Sequence, residues 1–356
     1  MRHIPLAAAA LLLLGACYGS HGVLEEFECP EGTPDDPEEV PPVDLLFVID
    51  NSESMEEEQD ALRDSFDDLL RALVTGDAGA DGVRDFPPVT DLHVGVVTAD
   101  LGVAVASGCS GGGPGDGRSG VLRRGDCGGA GFVSVDPEAP EASVAEFACL
   151  ASVGVAGCAV EQPLEAALLA LSADARGVLD DLRGRAELEN AGFLRPGSVR
   201  IVVVVTDEDD ASIGERGFYS RIVPGGPSAR ARAEAAAAHP IARYADAFAA
   251  LGAGGSGFAL EIVAGVPPAL VGQAPETILA ARDMQRRYDA TSLVGIESSC
   301  RSERGVAYPP RRLVETAAAL GTRASIHSLC EADFGAVALG IAEHVGATVR
   351  RATCER

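Results

Sequence analysis

The sequence has no lysine and no tryptophan, and only 4% of its 356 residues are aromatic. Arginine therefore supplies all 28 Lys and Arg positions, against 54 acids, and the net charge is -26. A chain of this charge repels the phosphates of nucleic acids, which excludes that class of partner. A phosphate-binding loop is excluded too. Residues 112–119 read G-x-x-x-x-G-R-S, with Arg118 in place of the required lysine, and no strand leads into them.

Recognisable catalytic and zinc motifs are also missing. No two cysteines show the C-x-x-C spacing of zinc and iron–sulfur sites, and the six histidines are scattered without an H-E-x-x-H pair. No pairing of a nucleophile with a base follows from the remaining residues. The sequence therefore favours a protein that is not an enzyme.

Only the start of the chain carries an export signal. Met1-Arg2-His3 is basic, residues 4–14 are apolar apart from one proline, and small residues lead to Cys17. This is the layout of a secretory signal peptide, too short to span a membrane. Residues 14–17, Leu-Gly-Ala-Cys, resemble the lipobox of bacterial lipoproteins, in which the cysteine becomes the lipidated N-terminus. The alternative is an ordinary signal peptide that includes Cys17.

Three segments follow from this interpretation: a signal peptide over 1–16, an acidic, proline-rich linker over 17–42, and one large domain over 43–352. The linker has too little apolar surface to fold, and its like charges keep it extended. A lipid on Cys17 would anchor the protein to a membrane without spanning it. Tyr18 is not the aspartate that retains lipoproteins at the inner membrane, which favours the outer membrane.

Eight cysteines remain in the exported chain. They are Cys29, Cys109, Cys127, Cys149, Cys158, Cys300, Cys330 and Cys354. An even number in an exported protein indicates disulfide bonds. Sequence alone does not determine the connectivity. The pairing we expect joins neighbours (109 with 127, 149 with 158, 300 with 330) and leaves Cys29 for Cys354.

Apolar runs alternate with helical patterns from residue 43 onward, which predicts an α/β domain with a mostly parallel central sheet flanked by helices. Strands are predicted at 45–49, 92–98, 132–135, 199–206, 258–263 and 325–329, and helices at 53–74, 162–172, 229–251, 311–320 and 334–349. The pieces after Asp207 and between 266 and 310 have the character of long insertions. No internal repeat is present.

Acids and hydroxyls follow two of these strands. The first strand ends in Asp50-Asn51-Ser52-Glu53-Ser54, and the strongest, 199–206, is followed by Asp207. In an open parallel sheet, ligands collect at the carboxyl ends of the strands. Magnesium prefers oxygen ligands with few carboxylates. Asp50, Ser52, Ser54 and Asp207 are therefore candidate ligands of a divalent cation.

The pattern Asp50-x-Ser52-x-Ser54 after an apolar strand resembles the metal-ion-dependent adhesion site of von Willebrand factor type A (vWA) domains. That resemblance extends over about 43–349 and implies a Rossmann-like fold with disulfide-stapled insertions. The family's second aspartate has a Thr-Asp-Gly context, which Thr206-Asp207-Glu208 matches except for the glycine. The family also supplies a threonine from a Gly-Gly-Thr loop, and here that position falls on Gln162, beside Glu161. Either residue donates an oxygen, or the metal has one ligand fewer.

Two alternatives concern the site itself. In one, Asp50 and Asp207 only cap helices or loops, and Ser52 caps the following helix. In the other, the fold is correct but the site no longer binds metal. The neighbouring acids Asp100, Asp209 and Asp210 are expected to be solvated, although a second cation or the rim of the site would also use them.

The resemblance implies a binding protein. The cation (Mg²⁺ first, with Ca²⁺ favoured by the extra acid, and Mn²⁺ also suitable) would keep one position open for an acidic group of a protein or other partner. A structural envelope lipoprotein, stiffened by disulfides and a cation, is a rival interpretation. A metal-dependent envelope hydrolase is another.

Overall fold

Residues 40–101, 118–124, 127, 131–157, 160–171, 189–214, 218, 223–254, 256–292 and 294–355 are described by the computed structural model. The predicted signal peptide, Cys17 and most of the linker, including Cys29, lie outside these residues. No helix in the described part of the chain is both long enough and apolar enough to cross a membrane.

A six-stranded sheet forms the centre of the domain. Its strands are β1 (Val43–Ile49), β2 (Leu92–Thr98), β3 (Phe132–Val135), β4 (Val199–Val205), β5 (Phe258–Ala264) and β8 (Ala324–Ser328). Their order across the sheet is β3-β2-β1-β4-β5-β8, and only β3 is antiparallel to its neighbour. The predicted α/β class and mostly parallel sheet are thus confirmed. The order reverses between β1 and β4, which is where ligands bind in open sheets.

Eight α-helices are described. They are α1 (Glu56–Thr75), α2 (Pro140–Ala151), α3 (Pro163–Leu171), α4 (Pro227–Ala237), α5 (Ile241–Leu251), α6 (Pro275–Ala280), α7 (Arg311–Leu320) and α8 (Phe334–Cys354). A single 3₁₀ turn, Glu53–Met55, precedes α1. Helices α1, α2 and α8 cover one face of the sheet, and α3, α5 and α7 cover the other.

The strands are apolar throughout because both faces are covered. Leu45, Phe47 and Ile49 of β1 enter the core beneath α1, α2 and α8. Leu46 and Val48 enter the core on the opposite face. Successive side chains of a strand point to opposite faces, so a strand buried on both sides loses the usual polar alternation. The continuous apolar run that predicted β1 follows from this arrangement.

The helix predicted over 229–251 is wrong as a single element. The structure divides it into α4 and α5, with Ala238 extended (φ -62°, ψ 146°) after α4 and Pro240 directly before α5. Proline has no N–H for a helical hydrogen bond and disfavours helical backbone in the residue before it. Helix α2 was not predicted, because four of its twelve residues are alanines and its apolar residues form only a weak helical pattern. The last helix extends to Cys354, past the expected end at 349.

The disulfides correct the expected pairing. Cys127 is bonded to Cys149, so the predicted pairs of Cys109 with Cys127 and of Cys149 with Cys158 are wrong. Helix α2 returns over the segment after β2, where the Arg123 guanidinium donates to the carbonyl of Cys149 (2.6 Å). Tertiary folding thus brings together two cysteines that are not the nearest in sequence. Cys109 and Cys158 lie outside the described residues.

The predicted bond between Cys300 and Cys330 is confirmed, with Cα atoms 6.2 Å apart. It ties the segment between β5 and α7 to the loop after β8. That segment contains α6 and a hairpin of two short strands, β6 (Cys300–Arg301) and β7 (Val306–Ala307). Cys354 is disulfide-bonded as well. Its predicted partner, Cys29, lies outside the described residues.

Candidate functional site

Asp50 lies at the carboxyl end of β1, at the reversal of strand order. Its N–H donates to the carbonyl of Val205 (2.9 Å), which fixes it beside the end of β4. One carboxylate oxygen accepts from the Ser52 N–H (2.8 Å) and the other from the Thr206 hydroxyl (2.7 Å). Burial is the largest cause of the raised pKa of Asp50. The carboxylate is held by two donors and retains lone pairs for a further ligand.

The two serines of the pattern face each other. Their hydroxyl oxygens are 3.1 Å apart, with Ser52 buried and Ser54 exposed. The Ser52 side chain makes no capping hydrogen bond to the helical turn that follows it. The alternative in which Ser52 caps that helix is therefore wrong. The hydroxyls instead lie beside the carboxylates at the strand ends, Ser52 next to Asp50 and Ser54 next to Asp207.

Asp207 follows β4 by one residue and is also buried. Neither of its carboxylate oxygens has a partner within hydrogen-bonding distance in the described part of the chain, although the Ser54 hydroxyl is near enough to lower its pKa in part. Its backbone carbonyl accepts from the Tyr308 N–H (2.7 Å), so the main chain is anchored while the carboxylate is not. Burial, followed by the charges of Asp50 and Glu208, raises the pKa of Asp207 well above its usual range. A buried, unsatisfied carboxylate is costly, and either protonation or a bound cation would remove that cost.

Glu161 and Gln162 lie in the segment that leads into α3, and both are buried. The Gln162 N–H donates to the carbonyl of Ala99 (2.9 Å), which places this segment against the end of β2. Burial, then the charges of Glu208, Asp50 and Asp207, raise the pKa of Glu161 well above its usual range. The electrostatics thus place Glu161 with the acids of the strand ends. Glu161 is one of the two residues, with Gln162, that the sequence offers as the oxygen donor in place of the family's threonine.

Sequence reasoning did not select Glu208 as a site residue. Burial and the charge of Asp50 raise its pKa to about 8, and a hydrogen bond with Glu161 partly offsets that rise. Asp50, Glu161, Asp207 and Glu208 form what we call the strand-end acid cluster. The signal for Glu208 was its position directly after Asp207, where the family pattern has glycine.

The expectation that Asp209 and Asp210 are solvated is wrong. An oxygen of Asp209 accepts from the Arg312 N–H in the first turn of α7 (2.8 Å), and its other oxygen pairs with Arg286 (2.6 Å). Asp210 accepts from the Leu164 N–H in the first turn of α3 (3.1 Å) and pairs with Arg312 (3.1 Å). The first turn of a helix has N–H groups without partners, which carboxylates satisfy.

Asp210 also connects two parts of the site. Because it caps α3, the loop that carries Asp207 and Glu208 is joined to the segment that carries Glu161. Asp100, also expected to be solvated, is buried and pairs with Arg118 (2.6 Å). The rim acids therefore brace the site and are not exposed to solvent.

Fewer than three acids of the strand-end acid cluster are placed so that they could bind the same ion. Within the described residues, no group of three or more His, Cys, Asp or Glu side chains is arranged so that it could hold a metal ion. A cation at the end of β1 would thus depend on the serine hydroxyls as well as on the carboxylates of Asp50 and Asp207. The unpartnered oxygens of Asp207 fit such a donor set.

Comparison with family models, curated proteins and solved structures gives no match to this chain.

Proposed function

We propose that this protein is a cell-envelope lipoprotein that binds an acidic partner through a divalent cation. In this proposal the domain is of the vWA kind, and Asp50, Ser52, Ser54 and Asp207 hold the cation, directly or through water. The observation that carries the proposal is the pair of buried, unpartnered carboxylate oxygens of Asp207, beside Asp50 at the reversal of strand order.

The surrounding residues support this assignment by orienting the donors. Thr206 and the Ser52 N–H hold the two oxygens of Asp50, and the Gln59 amide donates to the Asp50 carbonyl (2.8 Å). Such supporting contacts set the direction of ligating carboxylates. A bound cation would supply positive charge that offsets the strand-end acid cluster and attracts an acidic group. Magnesium is the first candidate because the donor set has only two carboxylates beside the serine hydroxyls, and Ca²⁺ and Mn²⁺ are the alternatives.

Calorimetric titration of the full-length protein with Mg²⁺, Ca²⁺ and Mn²⁺ tests the site. We expect saturable binding to the wild type and to Asp60→Ala, a control that removes an exposed acid from α1. Binding is expected to be lost in Asp50→Ala. At a cation concentration one hundred times Kd, the free energy of unfolding of the wild type should rise by about 2.7 kcal/mol.

Asp50 accepts two buried hydrogen bonds, so circular dichroism must show that its variant folds. Ser54→Ala is the second variant, because Ser54 is exposed and its loss should weaken cation binding without unfolding the domain. If the folded wild type binds none of the three cations, the proposal is wrong and the structural lipoprotein becomes the better interpretation.

Anchoring by lipid is tested separately by detergent phase partitioning. We expect the wild-type protein made in a bacterial host to enter the detergent phase, and Cys17→Ser to remain in the aqueous phase. Equal partitioning of the two proteins would contradict lipid attachment at Cys17 and leave the cation site unaffected.

A further inference from the structure

A polar pocket adjoins the strand-end acid cluster. It has a volume of about 450 Å³ and lies in the segment between β5 and α7. Tyr308 lines it, and the Tyr308 N–H is the group that donates to the Asp207 carbonyl (2.7 Å). The main chain of one lining residue of the pocket therefore contacts the main chain of Asp207.

Arg301 supplies an available positive charge in the pocket. Arg286 and Arg312, on the same side of the sheet, are paired with Asp209 and Asp210. Arg301 is exposed, and in the described part of the chain its side chain makes no ion pair or hydrogen bond. An exposed guanidinium without a partner is ready to bind a carboxylate through two parallel hydrogen bonds.

The backbone around Arg301 is firmly held. Arg301 pairs with Val306 across the hairpin, and the preceding Cys300 is disulfide-bonded to Cys330. Ser299 N–H donates to the carbonyl of Ala307 (2.9 Å). An arginine whose backbone is fixed in this way loses less conformational entropy on binding than an arginine on a mobile loop.

Two acids line the same pocket and limit what it accepts. Glu297 pairs with Arg287, and one oxygen of Asp289 accepts from the Thr291 N–H (2.8 Å) and hydroxyl (2.7 Å). Their charge makes the pocket unsuited to anions in general. An acidic group is therefore accepted only where it reaches Arg301, since the other charged lining residues are the acids Asp289 and Glu297.

We propose that this pocket is a second subsite, in which Arg301 binds a second acidic group of the ligand whose first acidic group reaches the cation. The ligand class is thus a peptide segment with two acidic side chains. This inference rests on the proposed function. Arg301 pairs with Val306, which is two residues before Tyr308. We therefore expect the two acids of the ligand to be only a few residues apart.

Fluorescence anisotropy with labelled peptides tests the subsite at saturating Mg²⁺. The probes are Glu-(Gly)n-Glu with n from 1 to 4, each compared with a peptide in which the second Glu is Gln. We expect one spacing to bind about tenfold more tightly than its single-acid control, the gain of one charge-assisted pair. Arg301→Gln should remove that gain, and Arg282→Gln, which removes an exposed arginine outside the pocket, should retain it.

The outcomes separate the two proposals. Equal binding of double-acid and single-acid peptides, or a gain that Arg301→Gln leaves intact, would overturn the subsite while Mg²⁺-dependent binding supports the cation site. Absence of Mg²⁺-dependent binding to every peptide, single-acid controls included, would overturn cation-mediated binding and the subsite with it. Calorimetric titration of Arg301→Gln with Mg²⁺ should match the wild type, since Arg301 is no cation ligand.

Discussion

Two buried carboxylates at neighbouring strands differ in one respect. Glu261, in the middle of β5, has a partner for each oxygen: His344 binds one, and His327 binds the other (3.2 Å). Asp207, just past the end of β4, has none in the described part of the chain. Both are almost fully buried. Burial alone therefore does not decide whether a carboxylate has partners.

The pKa values follow this difference. Burial would raise the pKa of Glu261, but the charge of His344 and hydrogen bonds from His327 and His344 outweigh it and lower the pKa. At Asp207, burial acts together with the charges of Asp50 and Glu208 to raise the pKa, and a hydrogen bond with Ser54 offsets the rise only in part. Glu261 is thus stabilised as an anion by its own fold. Asp207 has no such counter-charge in the described part of the chain.

The largest effect on stability is expected from removing the charge of Glu261, the carboxylate that has two partners. Glu261→Gln leaves the buried His344 without its counter-charge, and should lower the free energy of unfolding by about 3–5 kcal/mol near pH 6. Urea denaturation measures it. Glu343→Gln, an exposed acid beside His344 on α8, is the control and should stay within about 0.5 kcal/mol of the wild type. Equal effects of the two variants would contradict the ion pair.

The same variant has a defined pH dependence. Burial would lower the pKa of His344, but Glu261 raises it above the ordinary 6.5. Its contribution to stability is therefore complete below 6.5 and is lost as the pH rises through the raised value. That of Glu261 is present above its ordinary 4.5 and is lost as the pH falls through the lowered value. The difference in the free energy of unfolding between the wild type and Glu261→Gln should therefore be greatest between pH 4.5 and pH 6.5.

An intermediate effect is expected at Thr206, which partners Asp50. Thr206→Val removes the hydroxyl that donates to a buried carboxylate, and should cost about 1.5–3 kcal/mol in a cation-free buffer. Thr98, at the end of β2, is the matched control, because its hydroxyl is buried without a partner in the described residues. Thr98→Val should be neutral or stabilising by thermal unfolding. Similar losses in both variants would mean that the Thr206 bond has no special role.

The smallest effect has the opposite sign. Asp207→Asn removes a buried carboxyl group whose charged form has no counter-charge in the described residues, so the cation-free protein should gain about 0.5–2 kcal/mol at a pH where Asp207 is ionised. The same variant should lose the stabilisation that Mg²⁺ gives the wild type. Thermal unfolding in chelator and in excess Mg²⁺ measures both changes. Asp210→Asn removes a paired charge from the same loop and should destabilise, whereas destabilisation by Asp207→Asn would place Asp207 with the structural acids.

The sheet was largely predictable. The apolar runs that predicted the strands are clear because burial on both faces requires continuous apolar residues. Helix α1 has a clear apolar periodicity. The prediction of a single helix over 229–251 is wrong because it follows the apolar spacing of the whole segment. One proline interrupts the helix without changing that spacing. The acids Asp50 and Asp207 were selected because the carboxyl ends of parallel strands meet at one edge.

Sequence by itself determined which residues reach the strand ends, since that depends on local periodicity and on where apolar runs stop. It did not determine which buried acids are satisfied. His327 and His344 lie 66 and 83 residues after Glu261 and meet it only in the folded chain. Asp209 and Asp210, in the loop of Asp207, became helix caps, and Cys127 bonded Cys149 across a returning helix. These outcomes depend on distances between segments, and only tertiary packing sets those distances.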